Sequence, residues 1–373
     1  VSNSLIIQTA FLGDLLLGIP LFKAIKALQP GGKLTVLCRR GLGSFLLNTG
    51  LVDEVIEVDK KSRSEWSDAK RILREKHFDF IFCPHESPRS ALFVMGLRAK
   101  KKIGFKAWFN GFIFDERVER PLMDPEAVRQ LSLLKPLGSV YSSEVSNFER
   151  LQELPGGRFA NGALVRVPAK IDMTLPSLMK LRSDFANTND DWKRHLNANL
   201  VELDQVVRFK EKPIAVLAPG SVWATKMWTR DGFIAVGKTL SQRGFKVIIS
   251  GSKEESDLCT SVASQIEGAV SLAGRTALFE SAQVLAMSQL LVCNDSGAMH
   301  LGACSGVPTV SVFGPTVLDF GYRPWNDRAE VVDLNLGCRP CGTHGAKKCP
   351  IGTHACMQGI GAATVMAAVD RVL

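Results

Sequence analysis

Along the chain, short apolar runs alternate with stretches whose apolar positions recur every three or four residues. Leu5-Ile6-Ile7, Leu34 to Cys38, Val55 to Val58 and Phe80 to Cys83 read as strands, with Leu15 to Leu28 and Ala69 to Lys76 as helices between them. Strands joined through helices build a parallel sheet with helical crossovers. The second half repeats the scheme. Ile214 to Leu217 and Lys246 to Ile249 read as strands, Gly232 to Arg243 and Glu254 to Ile266 as helices, and Leu290 to Cys293 and Thr309 to Phe313 as further strands. The expectation is an α/β chain of two tandem domains, residues 1–185 and 186–373. The polar, irregular stretch 171–212, with Asn187-Thr188-Asn189-Asp190-Asp191 in it, suits the connection between them.

Composition agrees with two domains: 373 residues at 46% hydrophobic content exceed one ordinary core. The longest uncharged run, Ser296 to Leu318, is broken by Gly297, Gly302, Gly306, Pro308 and Gly314, so it reads as buried helix, turn and strand and not as a membrane span. Ser4 to Ala10 is followed at once by Gly13 and Asp14, with no charged leader before it, which makes a cytoplasmic chain the expectation. The net charge of +9 is lopsided, with 28 Lys and Arg against 20 Asp and Glu in residues 1–185 and 18 against 17 in the remainder. Such a basic half attracts nucleic acid, anionic lipid or a phosphorylated substrate, with Arg39, Arg40, Lys100, Lys101 and Lys102 as the obvious contacts, or it is a solvated surface. No nucleic-acid-binding motif accompanies it, and aromatics are not interleaved with the basic runs.

Open α/β sheets bind ligands beyond the carboxyl ends of their strands, and in two facing domains that is the cleft between them. Thr9-Ala10-Phe11-Leu12-Gly13-Asp14 follows the first strand. Asp14 there is either a helix N-cap or a general base that takes a proton from an attacking hydroxyl. No G-x-G-x-x-G follows, which disfavours a nicotinamide dehydrogenase. After the first strand of the second half comes Pro219-Gly220-Ser221-Val222-Trp223-Ala224-Thr225-Lys226-Met227-Trp228. Gly220, Ser221 and Thr225 can offer N–H and O–H donors to a phosphate and Lys226 a point charge, unless that lysine is simply solvated. The third segment, Asn294-Asp295-Ser296-Gly297-Ala298-Met299-His300, runs from a strand end into a helix whose first N–H groups suit a second phosphate. Asp295 is a cap or a ligand-orienting carboxylate, and His300 faces either the core or the phosphates.

Taken in order, Gly13-Asp14 with Pro20, Pro219-Gly220-Ser221 with Lys226-x-Trp228, Asn294-Asp295-Ser296-Gly297-x-x-His300, Gly306-Val307-Pro308 and Phe313-Gly314-Pro315-Thr316 resemble the signature segments of glycosyltransferase family 9, the heptosyltransferases of the lipopolysaccharide core. The resemblance spans most of the chain. It implies the GT-B fold, two Rossmann-like domains with parallel sheets facing across a cleft. It further implies an ADP-heptose donor on the C-terminal domain, an anionic lipid-linked sugar acceptor on the N-terminal domain, peripheral contact with the cytoplasmic face of the inner membrane, and no required metal or other cofactor. By the same resemblance Asp14 is the base of an inverting transfer, Lys226 neutralises the donor phosphates, and Ser296, Gly297 and His300 line the diphosphate site. Glu254 or Glu255 holds the ribose. Acceptor contacts are expected from His85, Arg89 and the basic run at Lys101, which follow N-terminal strands. The competing readings are a related transferase with another donor, a GT-B epimerase of a UDP-sugar, and a non-catalytic sugar-nucleotide binding protein.

Of nine cysteines, Cys38, Cys83, Cys259, Cys293 and Cys304 sit in apolar segments as reduced core thiols do. Cys338-x2-Cys341-x7-Cys349-x6-Cys356, with His344 and His354 inside, has the residue types of a structural zinc site, or is a loop of reduced thiols that chemistry does not need.

Overall fold

A computed structural model describes residues 2–122, 124–138, 151–158, 164–168, 171–187 and 190–373; Thr188 and Asn189 of the expected connection lie outside them. The chain divides into two compact units, Val1–Ile171 and Asp172–Leu373.

The first unit is a six-stranded sheet of β1 (Ser4–Gln8), β2 (Leu34–Arg39), β3 (Glu54–Val58), β4 (Phe78–Cys83), β5 (Ala99–Phe105) and β6 (Glu116–Val118) in the order β3-β2-β1-β4-β5-β6. Every neighbouring pair is parallel. All of β1 is buried, as a strand covered on both faces must be, and this is why it reads as a continuous apolar run. The helices are α1 (Leu12–Leu16), α2 (Ile19–Leu28), α3 (Gly43–Asn48), α4 (Arg63–Arg74), α5 (Pro88–Met95) and α6 (Glu126–Leu131). Ser87 caps α5 by accepting from Ser90 N at 3.1 Å, and Pro88 occupies its first turn, where no N–H is needed. A β-hairpin, β7 (Leu151–Arg158) with β8 (Leu164–Pro168), follows.

Two details differ from the sequence expectation. The helix expected over 15–28 is broken at Leu17-Gly18, where a Cβ on Gly18 would lie 2.8 Å from Gln130 Oε1 and where Pro20 starts a new first turn. Asp14 is not an N-cap: Phe11 takes that position and Asp14 lies inside the first turn of α1.

The second unit repeats the topology. Strands β9 (Ile214–Ala218), β10 (Lys246–Ile249), β11 (Val270–Ser271), β12 (Leu290–Asn294), β13 (Thr309–Val312) and β14 (Ala329–Val332) run in the order β11-β10-β9-β12-β13-β14, again all parallel. Around them lie α7 (Pro176–Ala186), α8 (Ala198–Val207), α9 (Arg230–Gln242), α10 (Ser256–Ala263), α11 (Leu278–Met287), α12 (Gly297–Ser305), α13 (Ala355–Gln358) and α14 (Ala362–Val372). The units meet at 171/172, against the expected 185/186, because α7 is built into the second unit. Leu175 N donates to Cys304 O at 2.9 Å, and the Arg182 guanidinium donates to Ala286 O and Ser288 O at 2.9 and 2.8 Å.

Each sheet reverses its strand order between its first and fourth strands, and ligands of doubly wound sheets bind where that reversal leaves a crevice. The fold therefore marks the loops after β1 and β4 in one unit and after β9 and β12 in the other. Among the described residues no helix is long and apolar enough to cross a membrane.

Candidate functional site

In the second unit the two marked loops are locked to each other by Asn294, at the end of β12. Its Oδ1 accepts from Trp228 N at 2.8 Å, while its Nδ2 donates to Pro219 O at 2.8 Å and Gly220 O at 3.2 Å. Trp228 is held further by donation from Nε1 to Ile360 O at 3.0 Å and by an edge contact with Phe233. Asn294 is fully buried, so each of these backbone groups would lose its partner in a truncated side chain. Asn294→Ala is expected to lower stability by about 2–4 kcal/mol, read from denaturant midpoints, and to loosen both loops together.

Beside this lock, Lys226 Nζ stands 2.6 Å from Asp295 Oδ2, and Thr316 Oγ1 donates to the same oxygen at 2.6 Å. Only 12% of the lysine side chain and 6% of the aspartate side chain are exposed. Lys226 is thus a desolvated cation with a fixed counter-ion, not a solvated loop lysine, and Asp295 is an ion-pair partner, not a cap. Ser296 holds the N-cap position of α12, and the helix starts with Gly297. His300 is buried, with Nδ1 unpartnered and its ring 6.4 Å from that of Tyr322. Burial lowers its pKa to about 4, against the opposing pull of Asp295 and with some help from Lys226.

Of the two candidate glutamates, Glu255 lies against Gly220, leaving no room there for a Cβ, and accepts from Ser252 N at 2.8 Å. Glu254 is exposed. Thr225 departs from its expected part as a phosphate donor: its hydroxyl donates to Ala346 O and the residue is buried. Ser221 Oγ accepts from Trp223 N at 3.3 Å.

Ala346 belongs to the cysteine-rich loop, which returns over this site. His354 Nε2 lies 2.8 Å from Thr225 O, and the His344 ring stacks 6.1 Å from that of Trp223. Both histidines thus serve the 223–225 loop. No group of three or more His, Cys, Asp or Glu among the described residues is gathered closely enough to hold a metal ion. All four thiols of the loop are free; Cys356 is part of the hydrophobic core and Cys338 is exposed. Burial raises the Cys356 pKa, whereas backbone N–H groups, His354's first, lower that of Cys349.

In the first unit, the loop after β1 carries Asp14, half-buried, with its carbonyl accepting from Gln130 Nε2 at 2.9 Å. Lys60 interacts with it, and two cations flank the neighbouring Phe11. The Arg39 guanidinium lies 4.9 Å and Lys60 Nζ 5.8 Å from the centre of the half-exposed Phe11 ring. Burial lowers the Lys60 pKa, Arg39 and Arg89 push the same way, and Asp14 opposes them. After β4, His85 Nδ1 lies 3.1 Å from Thr9 Oγ1 and 2.9 Å from Ser90 Oγ. Its pKa is lowered to about 4, by burial first and then by Lys60 and Arg120. The fold thus gathers Asp14, His85 and Arg89 at one switch point and adds Arg39 and Lys60. Lys101 is elsewhere employed, on β5 and paired with Glu116 at 3.3 Å.

The two histidines give each unit a pH signature. Both have native pKa values below the ordinary 6.5, so between pH 6.5 and 4 the unfolded chain takes up protons that the native chain refuses. Stability is therefore complete above pH 6.5 and falls as the pH drops through that window, by roughly 3 kcal/mol per histidine at most. Chemical denaturation at stepped pH should show the loss, and His300→Gln should flatten the share carried by the second unit.

Paired doubly wound sheets, with loops of this kind after the first and fourth strands of each, define a GT-B-fold protein. The family model described as glycosyltransferase family 9 (heptosyltransferase) matches residues 170–350. That stretch, just under half of the chain, is similar to glycosyltransferase family 9. It is 34% identical over 155 residues to lipooligosaccharide heptosyltransferase 2 of Campylobacter jejuni, spanning 40% of this chain and 47% of that one, about half its length. With lipopolysaccharide heptosyltransferase 2 of Salmonella typhimurium it shares 23% identity over 344 residues, 89% of this chain and 88% of that one. The structure of the E. coli ADP-heptose lps heptosyltransferase II superposes with a TM-score of 0.70 at 20% identity, covering 99% of this chain and 98% of the other.

Proposed function

We propose that the protein is an inverting, metal-independent glycosyltransferase that moves a heptose from ADP-heptose to a lipid-linked sugar of the lipopolysaccharide core, working at the cytoplasmic face of the inner membrane. The observation that carries the reading is the desolvated Lys226–Asp295 pair beside the start of α12, at the switch point of the second sheet. In the proposed reaction the acceptor hydroxyl gives its proton to the Asp14 carboxylate and attacks the anomeric carbon. The bond from that carbon to the diphosphate breaks on the opposite side, so the configuration inverts. Charge then grows on the departing phosphate oxygen. Lys226 and the free N–H groups at Gly297 and Ala298 are the fixed donors proposed to stabilise it, the part a metal plays in other transferases. Ser221 and Ser296 line the diphosphate in this reading, His300 backs it as a neutral imidazole, and Glu255 takes the ribose hydroxyls because it is the glutamate placed against Gly220. The names of the relatives, heptosyltransferases of lipopolysaccharide and lipooligosaccharide, supply the sugar and the acceptor.

Titration calorimetry with ADP, UDP, GDP and CDP in the presence of a chelator tests the donor. Selective ADP binding is expected, followed by transfer from ADP-heptose to a core acceptor with inverted anomeric configuration. Preference for another nucleotide would keep the site and overturn the donor.

A further inference from the structure

The two most exposed large hydrophobic side chains among the described residues are aromatic and lie four positions apart on one loop: Trp108 at 95% and Phe112 at 82%. That loop joins β5 to β6 in the first unit, and it is firmly built. Asn110 is buried, donates from Nδ2 to Phe105 O at 2.8 Å, and accepts from Ala107 N at 3.0 Å on Oδ1. Ile113 and Phe114 are buried in the core of the unit and Phe109 packs against it. Phe114 fits only because position 104 is glycine, where a Cβ would stand 2.6 Å from its ring. The exposure of Trp108 and Phe112 is thus a fixed presentation and not a loose end.

The loop also sits in a cationic frame. Residues 98–120 carry seven Lys and Arg against three Asp and Glu. Lys100, Lys101, Lys106 and Arg120 are engaged with Asp79, Glu116, Glu119 and the Glu86/Glu126 pair, and the Lys106–Glu119 pair is exposed and open to exchange for a phosphate. Lys106 and Arg117 are exposed, and Arg117 Nη1 comes within 3.5 Å of where a Cβ on Gly111 would be, at the turn between the two aromatics. An indole and a phenyl ring held outward among cations match the boundary of an anionic bilayer, where Trp settles at headgroup depth and Lys and Arg meet phosphates.

We propose that the Lys106–Asp115 loop is a membrane-docking element that inserts Trp108 and Phe112 into the headgroup boundary of an anionic phospholipid surface, with Lys106 and Arg117 on the lipid phosphates. The inference rests on the reading that the acceptor is carried by a lipid, and it gives the excess charge of the first half a purpose. Ala107, Phe109 and Asn110 of the loop line a cavity with His85, but Trp108 and Phe112 do not, so replacing these two alone leaves donor binding and the base in place.

The test is flotation of the full chain with phosphatidylethanolamine–phosphatidylglycerol vesicles and with phosphatidylcholine vesicles. ADP titration, transfer to a delipidated core sugar and sedimentation velocity run in parallel. The wild type should float with the anionic vesicles, and the W108A/F112A variant should lose roughly tenfold or more of that partition while ADP binding and transfer to the soluble sugar persist. R117Q should lower partition about fivefold at low salt and little at high salt. Equal flotation of variant and wild type overturns the proposal, as does a wild type that binds ADP but ignores both vesicles. A wild-type dimer that the variant dissolves, with no flotation, also overturns it and makes the loop a protein interface. Flotation that depends on the aromatics in a protein that binds no ADP sustains the docking and sinks the donor assignment instead.

Discussion

Asp14→Asn is expected to reduce turnover by about 10²–10⁴-fold while leaving the ADP dissociation constant within a few-fold of wild type. The substitution preserves shape and removes only the proton acceptor. The backbone at this position is held independently, through the bond from Gln130 Nε2 to the Asp14 carbonyl, so the loop keeps its course. The affected quantity should be kcat, with the acidic limb of the pH–rate profile disappearing, because that limb reports protonation of the base. A second consequence follows from the neighbouring Lys60. Asp14 is the group that supports the charge of Lys60 against burial, Arg39 and Arg89, so its neutralisation should lower the Lys60 pKa further. Steady-state transfer over a pH series, with ADP titrated separately, checks both. Turnover that survives in Asp14→Asn would exclude this carboxylate as the base.

What the linear sequence disclosed, and what it withheld, follows from how each element is buried. Strands such as Ile214–Ala218 and Leu290–Asn294 are covered on both faces, so their apolar runs are unbroken and legible. Ala99–Phe105 is hidden in the sequence because Lys100, Lys101 and Lys102 near its start resemble a solvated charge run. The structure shows a strand whose first half lies near the surface, with Lys100 paired to Asp79 at 2.7 Å and Lys101 to Glu116. The site loops were legible for a topological reason: both follow strands, and strand ends are where such sheets bind. Their mutual arrangement was not. Lys226 and Asp295 are 69 residues apart, and their pairing, with Thr316 as third member, depends on adjacent strands β9 and β12 ending side by side. For the same reason Asn294 read only as part of a motif, although it is the residue that joins the two loops. The attachment of His344 and His354 to the 223–225 loop depends on a return of the chain over more than a hundred residues, which no local pattern encodes.

Lys226→Met should produce two losses that separate in a cycle with Asp295→Asn. The first is stability. Removing the lysine leaves a carboxylate that is 6% exposed, still held by the Thr316 hydroxyl but with its cation gone, and breaking one side of such a pair costs about 3–5 kcal/mol. The second is affinity. A charge-assisted contact to a phosphate is worth about 1.5–3 kcal/mol, and an unneutralised Asp295 next to the diphosphate adds repulsion to that loss. Adding Asp295→Asn to Lys226→Met removes the stranded charge, so the denaturant midpoint should recover much of the way. ADP affinity should improve only by the relief of repulsion and should stay below wild type, because the cation is still missing. Asp295→Asn alone should then bind ADP at least as tightly as wild type, since it releases Lys226 from its counter-ion while keeping the charge in place. Paired denaturation and calorimetry on the four proteins measure both quantities. If ADP affinity returns fully with stability in the double variant, Lys226 is a structural partner of Asp295 and does not touch the donor.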